Sequence, residues 1–311
     1  MSLVGVVLNV TKEHAAEAVR LIEFVCSEAG MDTPLIMAST VDDPGHVMTR
    51  RALDAGCDVV IAAGGDGTVR AVAAEIAGTD IALGVVPMGT GNLFARNIGL
   101  PHDDLLFCVQ EAIHGQAHAV DTLQLQLKRA DGSIDEELSM VIAGGGLDAE
   151  VMADTREALK ARAGWLAYGE SGLRHVAGRR KDVTVELDHG DRAEVRIRSV
   201  LLANCGTLQG GVRLVPTALF DDGQMDVVLL SPRNPWDWAR IVAKTALRFG
   251  EDIPVMTVKQ TAGCSLEMQE PMPFQIDGDA VGEVVGVKAE VVPSSLKVNG
   301  VARAVTDQTA G

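Results

Sequence analysis

Aromatic residues are scarce in this chain of 311 residues: six Phe, three Trp and one Tyr, 3% in all. So few flat side chains leave no platform on which unpaired bases could stack. Positive charge is short too, with 27 Lys and Arg against 43 Asp and Glu, and the formal net charge of −16 works against nonspecific nucleic-acid binding. No run approaches the roughly 18 unbroken apolar residues of a membrane span. Five cysteines (Cys26, Cys57, Cys108, Cys205, Cys264) stand far apart, which fits a reducing compartment and argues against a disulfide frame or a zinc site. The seven histidines show no metal spacing. The first ten residues lack a basic n-region and read as a strand ending at Asn9, so no secretory leader is expected and the expected location is cytoplasmic. Neither a P-loop (GxxxxGKS/T) nor a GxGxxG fingerprint occurs.

What remains is an ordinary globular composition, 47% hydrophobic and 23% charged, long enough for two cores. The first third alternates short apolar runs with helix-period segments. Strands are expected at Val4 to Leu8, Thr33 to Ala38, Asp58 to Ala62 and Ile81 to Val86. Between and after them, helices are expected at Glu13 to Ala29, Pro44 to Ala55, Thr68 to Ala77, Asn92 to Ile98 and Asp103 to His114. That rhythm predicts a parallel sheet with helices on both faces, whose ligands sit beyond the carboxyl ends of the strands. Two glycine-rich turns fall there, Gly64 to Thr68 (GGDGT) and Pro87 to Asn92 (PMGTGN). Glycine lets backbone N–H groups come close to a phosphate, and the following helix points its positive end the same way. Thr68 and Thr90 can add hydroxyls, Asn92 a helix cap. Asp66, inside the first turn, needs a metal cation or a transferable proton beside phosphates. One such turn alone is as readily an ordinary strand–helix bend; two in consecutive βα units point to nucleotide phosphates.

Beyond Asp121 the pattern changes to alternating or β-branched segments. Strands are expected at Leu123 to Lys128, Glu136 to Ile142, Val183 to Leu187, Val195 to Ala203 and Met225 to Leu230. Further ones are expected at Val255 to Val258, Ser265 to Met268, Phe274 to Ile276 and Val284 to Val292. Asp131-Gly132 and His189-Gly190 supply hairpin turns. Helices are expected at Gly164 to Ala177 and Pro235 to Phe249, with Trp236 and Trp238 anchoring the second to the core. The expected organisation is a nucleotide-binding α/β domain over 1–120 and a mainly antiparallel β-sandwich over 121–293. Residues 294–311 are expected to return to the first domain, and the last six to fray. The glycine run at Ala143 to Glu150 reads either as a cleft wall or as a bend where two sheets pack closely.

The turns also carry a resemblance. GGDGT followed by PMGTGNLFAR (Pro87 to Arg96) resembles the diacylglycerol-kinase catalytic family of bacterial lipid kinases, related to sphingosine kinases and more distantly to NAD kinases. Thr40 with Pro44-Gly45-His46 resembles the family's T…GHA approach to the third strand. LVPTALFDDGQMD (Leu214 to Asp226) resembles its P-x-A…DDG segment, and QIDGD (Gln275 to Asp279) its DGE motif. The resemblance implies ATP and Mg²⁺ bound by Asn9, Thr40, Gly64, Gly65, Asp66, Gly67, Thr68, Gly89, Thr90, Gly91 and Asn92. It implies Asp277 as the base that draws the proton from a lipid hydroxyl, with Asp279 in support, and Asp121 in the substrate cleft. A second, structural cation would lie on Asp222 with the carbonyls of Leu219 and Gln224.

The chain departs from the family at three places. Asn9 is followed by Val10-Thr11-Lys12 in place of P-x-S-G, Leu93 stands where an acidic residue often follows GTGN, and Asp279 is shorter than Glu. The implied activity is phosphoryl transfer from ATP to a lipid alcohol, foremost diacylglycerol, at a membrane surface; a homodimer is compatible with the sequence. The basic stretch Arg156 to Lys181, with Trp165 and Tyr168, suits anionic headgroups or an ordinary solvated helix flank equally. Two alternatives stand beside this reading. One is an NAD kinase, although its Asn-Glu motif after the glycine turns is not evident. The other is a nucleotide- or lipid-binding regulatory protein with a degenerate site.

Overall fold

The computed structural model describes residues 2–101, 103–146, 180–208, 213–234, 236–237, 240–241 and 253–302. The expected helix at Gly164 to Ala177, most of the basic stretch, Trp238 and the final residues lie outside them. The chain divides into two compact units, one of Met1–Thr122, Thr207–Gly211 and Pro293–Gly311, the other of Leu123–Gly206 and Val212–Val292.

In the first unit β1 (Val4–Leu8), β2 (Leu35–Ala38), β3 (Val59–Gly64) and β4 (Ala82–Pro87) pair in parallel in the order β2-β1-β3-β4. Every residue of β1, β3 and β4 is buried. That is why these strands read as unbroken apolar runs: a parallel sheet covered on both sides leaves no polar face. Val4, Val6, Ile61 and Ala63 pack with α1 (Ala15–Glu28) and α5 (Leu105–His114). On the opposite side Gly5 lies so close to α2 (His46–Asp54) that a Cβ there would stand 2.7 Å from that of Ala52. α2 packs in turn on α3 (Asp66–Ile76). Each fully buried Val or Ile contributes about 1.5–3 kcal/mol to this core.

The second unit is antiparallel. β7 (Ile142–Gly146), β10 (Ser199–Ala203), β11 (Met225–Leu230) and β12 (Met256–Thr261) follow one another across one layer. β8 (Lys181–Leu187) and β9 (Arg192–Ile197) form a hairpin at Gly190, and β5 (Ala117–Lys128) and β6 (Ile134–Ser139) another at Gly132. Both glycines have φ near 90°, as the Asp-Gly and His-Gly pairs predict. The long β13 (Gly263–Ile276) pairs with β8 through Cys264 to Met268 and with β7 through Phe274 to Ile276. It passes from one partner to the other across an irregularity between Glu267 and Met272. Pro271 sits within it and Pro273 just after it, where a residue without an N–H is tolerated. β14 (Asp279–Asn299) pairs antiparallel with β13 up to Glu290, and its far end, Lys297 and Val298, lies parallel to Ala82 and Leu83 of β4.

Four expectations need correction. The single strand expected over Glu136 to Ile142 is two, β6 and β7, because the amides of Met140, Val141 and Ile142 turn to a side chain (Asp277) for their hydrogen bonds. Val195 to Ala203 is likewise two strands, parted at Arg198, whose amide donates to the Leu230 carbonyl. Ser265 to Met268 and Phe274 to Ile276 are one strand. Trp236 is 79% exposed and does not anchor a helix to the core. Within β7, Cβ atoms on Gly144 and Gly145 would meet Leu201 and Met272 at 2.6 and 2.8 Å, so these glycines serve close packing.

Candidate active site

The carboxyl ends of the four parallel strands lie along one edge of the first unit's sheet, and the expected nucleotide residues follow them directly. Asn9 follows β1, Thr40 follows β2, Gly65 to Thr68 follow β3, and Gly89 to Asn92 follow β4. Backbone bonds lace the exits: Ser39 N–H to Leu8 O at 2.8 Å, Asn9 N–H to Ala63 O at 2.9 Å, and Met88 N–H to Gly64 O at 2.8 Å. The Asn9 carboxamide accepts from both the amide and the hydroxyl of Thr11, an Asx turn that shapes the departure after Asn9.

The two glycine turns touch. A Cβ on Gly89 would stand 2.8 Å from the Cα of Gly65 and 2.8 Å from the Asn92 side-chain oxygen, and one on Gly91 would stand 2.9 Å from an Asp66 carboxylate oxygen. At Gly89 only bare backbone fits this approach. Asn92 closes the second turn on itself: its Oδ1 accepts from Gly89 N–H and its Nδ2 donates to Gly89 O, both at 2.8 Å. It does so from the left-handed region, φ 46°, which Asn tolerates better than most residues. Asn92 is therefore a latch across its own loop and makes no side-chain cap on α4 (Leu93–Asn97). The Phe94 amide, in the first turn of α4, instead meets an Asp66 oxygen at 3.4 Å. Asp66 thus bridges the two turns. Thr68 is 4% exposed and packed beneath Gly64, so its hydroxyl supports the turn from below, whereas Thr90 is exposed.

Sequence reading missed Asp43. One of its oxygens accepts from the amides of Gly45 (2.9 Å) and His46 (2.7 Å), the other from Val47 (3.0 Å). The amide of Asp43 itself donates to the Thr40 hydroxyl at 3.0 Å. Partial burial pushes this carboxyl upward, but the three amides outweigh it and hold it below the ordinary carboxylate range. An Asp just ahead of Pro-Gly-His at a helix start is a readable cap signal.

In the second unit Asp277 and Gly278 form the tip of the β13–β14 hairpin, at φ 49° and 88°, with Ile276 paired to Asp279. Asp277 is 4% exposed. Its Oδ1 accepts from Ser139 Oγ (2.8 Å), Val141 N (2.9 Å) and Ile142 N (2.9 Å), and its Oδ2 from Met140 N (3.0 Å). Asp279 is half-buried. Ser139, and Gln275 at 0% exposure, complete this turn and carry no local signal in the sequence. Asp121 is 1% exposed and accepts the Ser294 amide at 2.7 Å, holding Ser294 at φ 52°. Asp222 accepts the amide of Gln224 at 3.0 Å in the loop before β11, where Leu219 is 39% exposed. Burial pushes the nearby Asp226 up to about 6, opposed by the Thr217 hydroxyl, reinforced by the Asp222 charge and opposed again by Gln260. No cluster of three or more His, Cys, Asp or Glu side chains suited to a metal occurs among the described residues.

Residues 4–125 match the diacylglycerol kinase catalytic domain, and residues 140–300 the YegS C-terminal NAD kinase beta sandwich-like domain. A diacylglycerol kinase of Bacillus subtilis (strain 168) is 31% identical over 283 residues, covering 89% of this chain and 88% of that protein. A probable lipid kinase YegS-like of Stenotrophomonas maltophilia (strain K279a) is 37% identical over 188 residues, 58% of either chain. Among solved structures, a putative diacylglycerol kinase from Bacillus anthracis str. Sterne shares the fold, with a TM-score of 0.74 at 18% identity over 96% of both chains. With its α/β unit of parallel strands, its antiparallel sandwich and a relative this similar over most of its length, the chain belongs to the diacylglycerol kinase family of YegS-like lipid kinases.

Proposed function

We propose that this protein is an ATP-dependent lipid kinase that transfers the γ-phosphate to a lipid alcohol, with diacylglycerol the foremost substrate and phosphatidic acid the product. The observation that carries the reading is the contact between the two glycine turns at the carboxyl edge of the parallel sheet. Phosphoryl transfer asks little covalent chemistry of a protein; it asks for placement, charge neutralisation and a proton acceptor. The backbone of Gly65 to Gly67 and of Thr90 to Gly91 is suited to the phosphates, the Gly89 amide being held by Asn92, with Asn9 and Thr40 at the neighbouring strand ends.

Mg²⁺ is implied by the family, and the residues fit it: Asp66 supplies hard carboxylate oxygen between the two turns. When bound, the ion would offset the negative charge of the triphosphate. Asp222 with the carbonyls of Leu219 and Gln224 remains the candidate for a separate structural cation. Between the two carboxylates of the QIDGD turn, the geometry favours Asp279 as the group that takes the alcohol proton, since the oxygens of Asp277 already face four donors of the chain. On this reading the role proposed for Asp277 differs from the one expected of it from sequence. No described helix is long and apolar enough to cross a membrane. We assign access to lipid to the basic stretch over 156–181, of which only Arg180 and Lys181 fall within the described residues.

The test is transfer of labelled γ-phosphate to a panel of lipid alcohols in mixed micelles. Diacylglycerol should be labelled only with Mg²⁺ present, and Asp279→Asn should lower the rate by about a thousandfold or more. Binding of ATP with no alcohol labelled would favour the regulatory alternative.

A further inference from the structure

Asp277 stands at the tip of a hairpin, yet it is buried and carries more hydrogen bonds than its turn requires. A type I′ turn needs only positive φ at its two central residues, and Asn would serve there as well as Asp. The carboxylate reaches elsewhere, to the corner between β6 and β7. Its four donors are the hydroxyl of Ser139 and three successive amides, Met140, Val141 and Ile142, all between 2.8 and 3.0 Å. The Asp277 amide returns a bond to the Ile142 carbonyl at 2.8 Å. The corner's remaining carbonyls are taken from the other side, Met140 O by the Asn204 carboxamide and Val141 O by the amides of Asn204 and Cys205. At the tip itself the Gly278 amide donates to Gln275 Oε1 at 2.8 Å.

We infer that Asp277 is a positioning residue: its carboxylate staples the β13–β14 tip to the β6–β7 corner and so fixes where Asp279 stands, two residues along the chain. The inference rests on the reading of Asp279 as the proton acceptor. Asp279 is held from one side by its pairing with Ile276 and from the other by the start of β14. With the staple intact, neither the turn nor the corner can rotate without breaking several buried bonds at once. Without it, three consecutive amides lose their shared acceptor and the corner must find another arrangement. A carboxylate is suited to this task because one oxygen can serve three donors while the other serves a fourth. An Asn in the same place keeps one oxygen but presents an NH₂ group to the Met140 amide, setting donor against donor.

The experiment compares the full chain with Asp277→Asn, Ser139→Ala and Asp279→Asn by two readouts. Hydrogen exchange at residues 139–142 and 275–280 reports the staple without any need for catalysis. It should accelerate about a hundredfold at both segments in Asp277→Asn, and residues 139–142 should keep their protection in Asp279→Asn. The pH–rate profile for lipid phosphorylation reports the proton acceptor. Asp277→Asn should lower kcat about 30- to 100-fold with the KM for ATP within about twofold and the acid limb in its original place. Asp279→Asn should abolish that limb. Retained exchange protection and kcat in Asp277→Asn would overturn the inference, as would loss of the acid limb in Asp277→Asn with its survival in Asp279→Asn. If Asp277→Asn fails to fold, Ser139→Ala decides: faster exchange at the corner with about a threefold fall in kcat supports the staple, and no change in either refutes it. Absence of phosphorylation of any alcohol by the parent chain would instead defeat the kinase reading, while the exchange data still decide whether the staple exists.

Discussion

Two helices of the first unit rise from the same edge of the sheet, and their first turns are built in opposite ways. α2 is closed by its own sequence: Asp43 binds the amides of Gly45, His46 and Val47, so the positive end of that helix already has its anion. α3, like α2, follows a glycine with no side chain to offer, but Gly65 has no counterpart of Asp43 two residues before it. What would otherwise be a defect in α3 leaves its first turn for something else to complete, and the second glycine turn lies in contact with it. The difference teaches that a helix start can be left open to an anion by withholding a cap as much as by adding glycine. A helix start whose first amides already sit on a carboxylate, as those of α2 sit on Asp43, has less need of a ligand.

This contrast can be broken at the open end or at the closed one. The largest effect is expected from Gly89→Ala. Its new methyl would stand 2.8 Å from the Gly65 backbone, which has no flexible end to move aside. Phosphoryl transfer should fall by about a hundredfold or more with the far-UV spectrum unchanged. Next is Gly65→Asp, which would give α3 the cap it lacks. The nearest neighbour of a Cβ there is 3.5 Å away and the backbone is extended, so a Cβ is tolerated. Thermal unfolding should rise by the equivalent of about 0.5–1 kcal/mol while the KM for ATP rises about tenfold, because cap and phosphate compete. An increase in stability with unchanged KM would separate the α3 start from nucleotide binding.

The smallest effect is expected from Asp43→Ala: a loss of about 1 kcal/mol with kcat and KM for ATP unchanged. The sign of its pH dependence follows from a folded-state pKa held below the unfolded value. The contribution of Asp43 is present above its unfolded pKa, roughly 4, and disappears as the pH falls through the lower folded value. Melting curves of parent and variant should therefore stay apart at neutral pH and converge in acid.

The first unit was the more legible of the two because its signals are local. Strand β3 ends in glycine, its helix begins two residues later, and both facts are written within Asp58 to Thr68. The capped α2 was legible as a helix, but Asp43 was overlooked although Asp-Pro-Gly-His announces a cap. In the second unit, boundaries depend on residues far away in sequence. The break between β6 and β7 is set by Asp277, and an apolar run such as Met140 to Ala143 gives no warning of it. β13 reads as two strands because its prolines interrupt the pattern, yet the chain runs on and changes partners. Around the candidate site the residue types were readable from motifs, whereas their tasks were not. Asn92 latches its own loop, Thr68 props a turn, and Asp277 holds a corner, since each task is defined by an atom that only folding brings near.

β14 has a consequence for how the protein is made. The strand that borders β4 in the first unit is its end, where Val298 pairs with Leu83. At ribosomal speeds of about 5–20 residues per second, Leu83 waits on the order of ten to forty seconds for its neighbour to be synthesised. Until then one margin of the nascent nucleotide sheet stays bare and open to mispairing. A fragment cut after residue 125 would keep that exposed margin permanently, and should be expressed with 293–302 supplied in trans or fused to it if it is to remain monomeric.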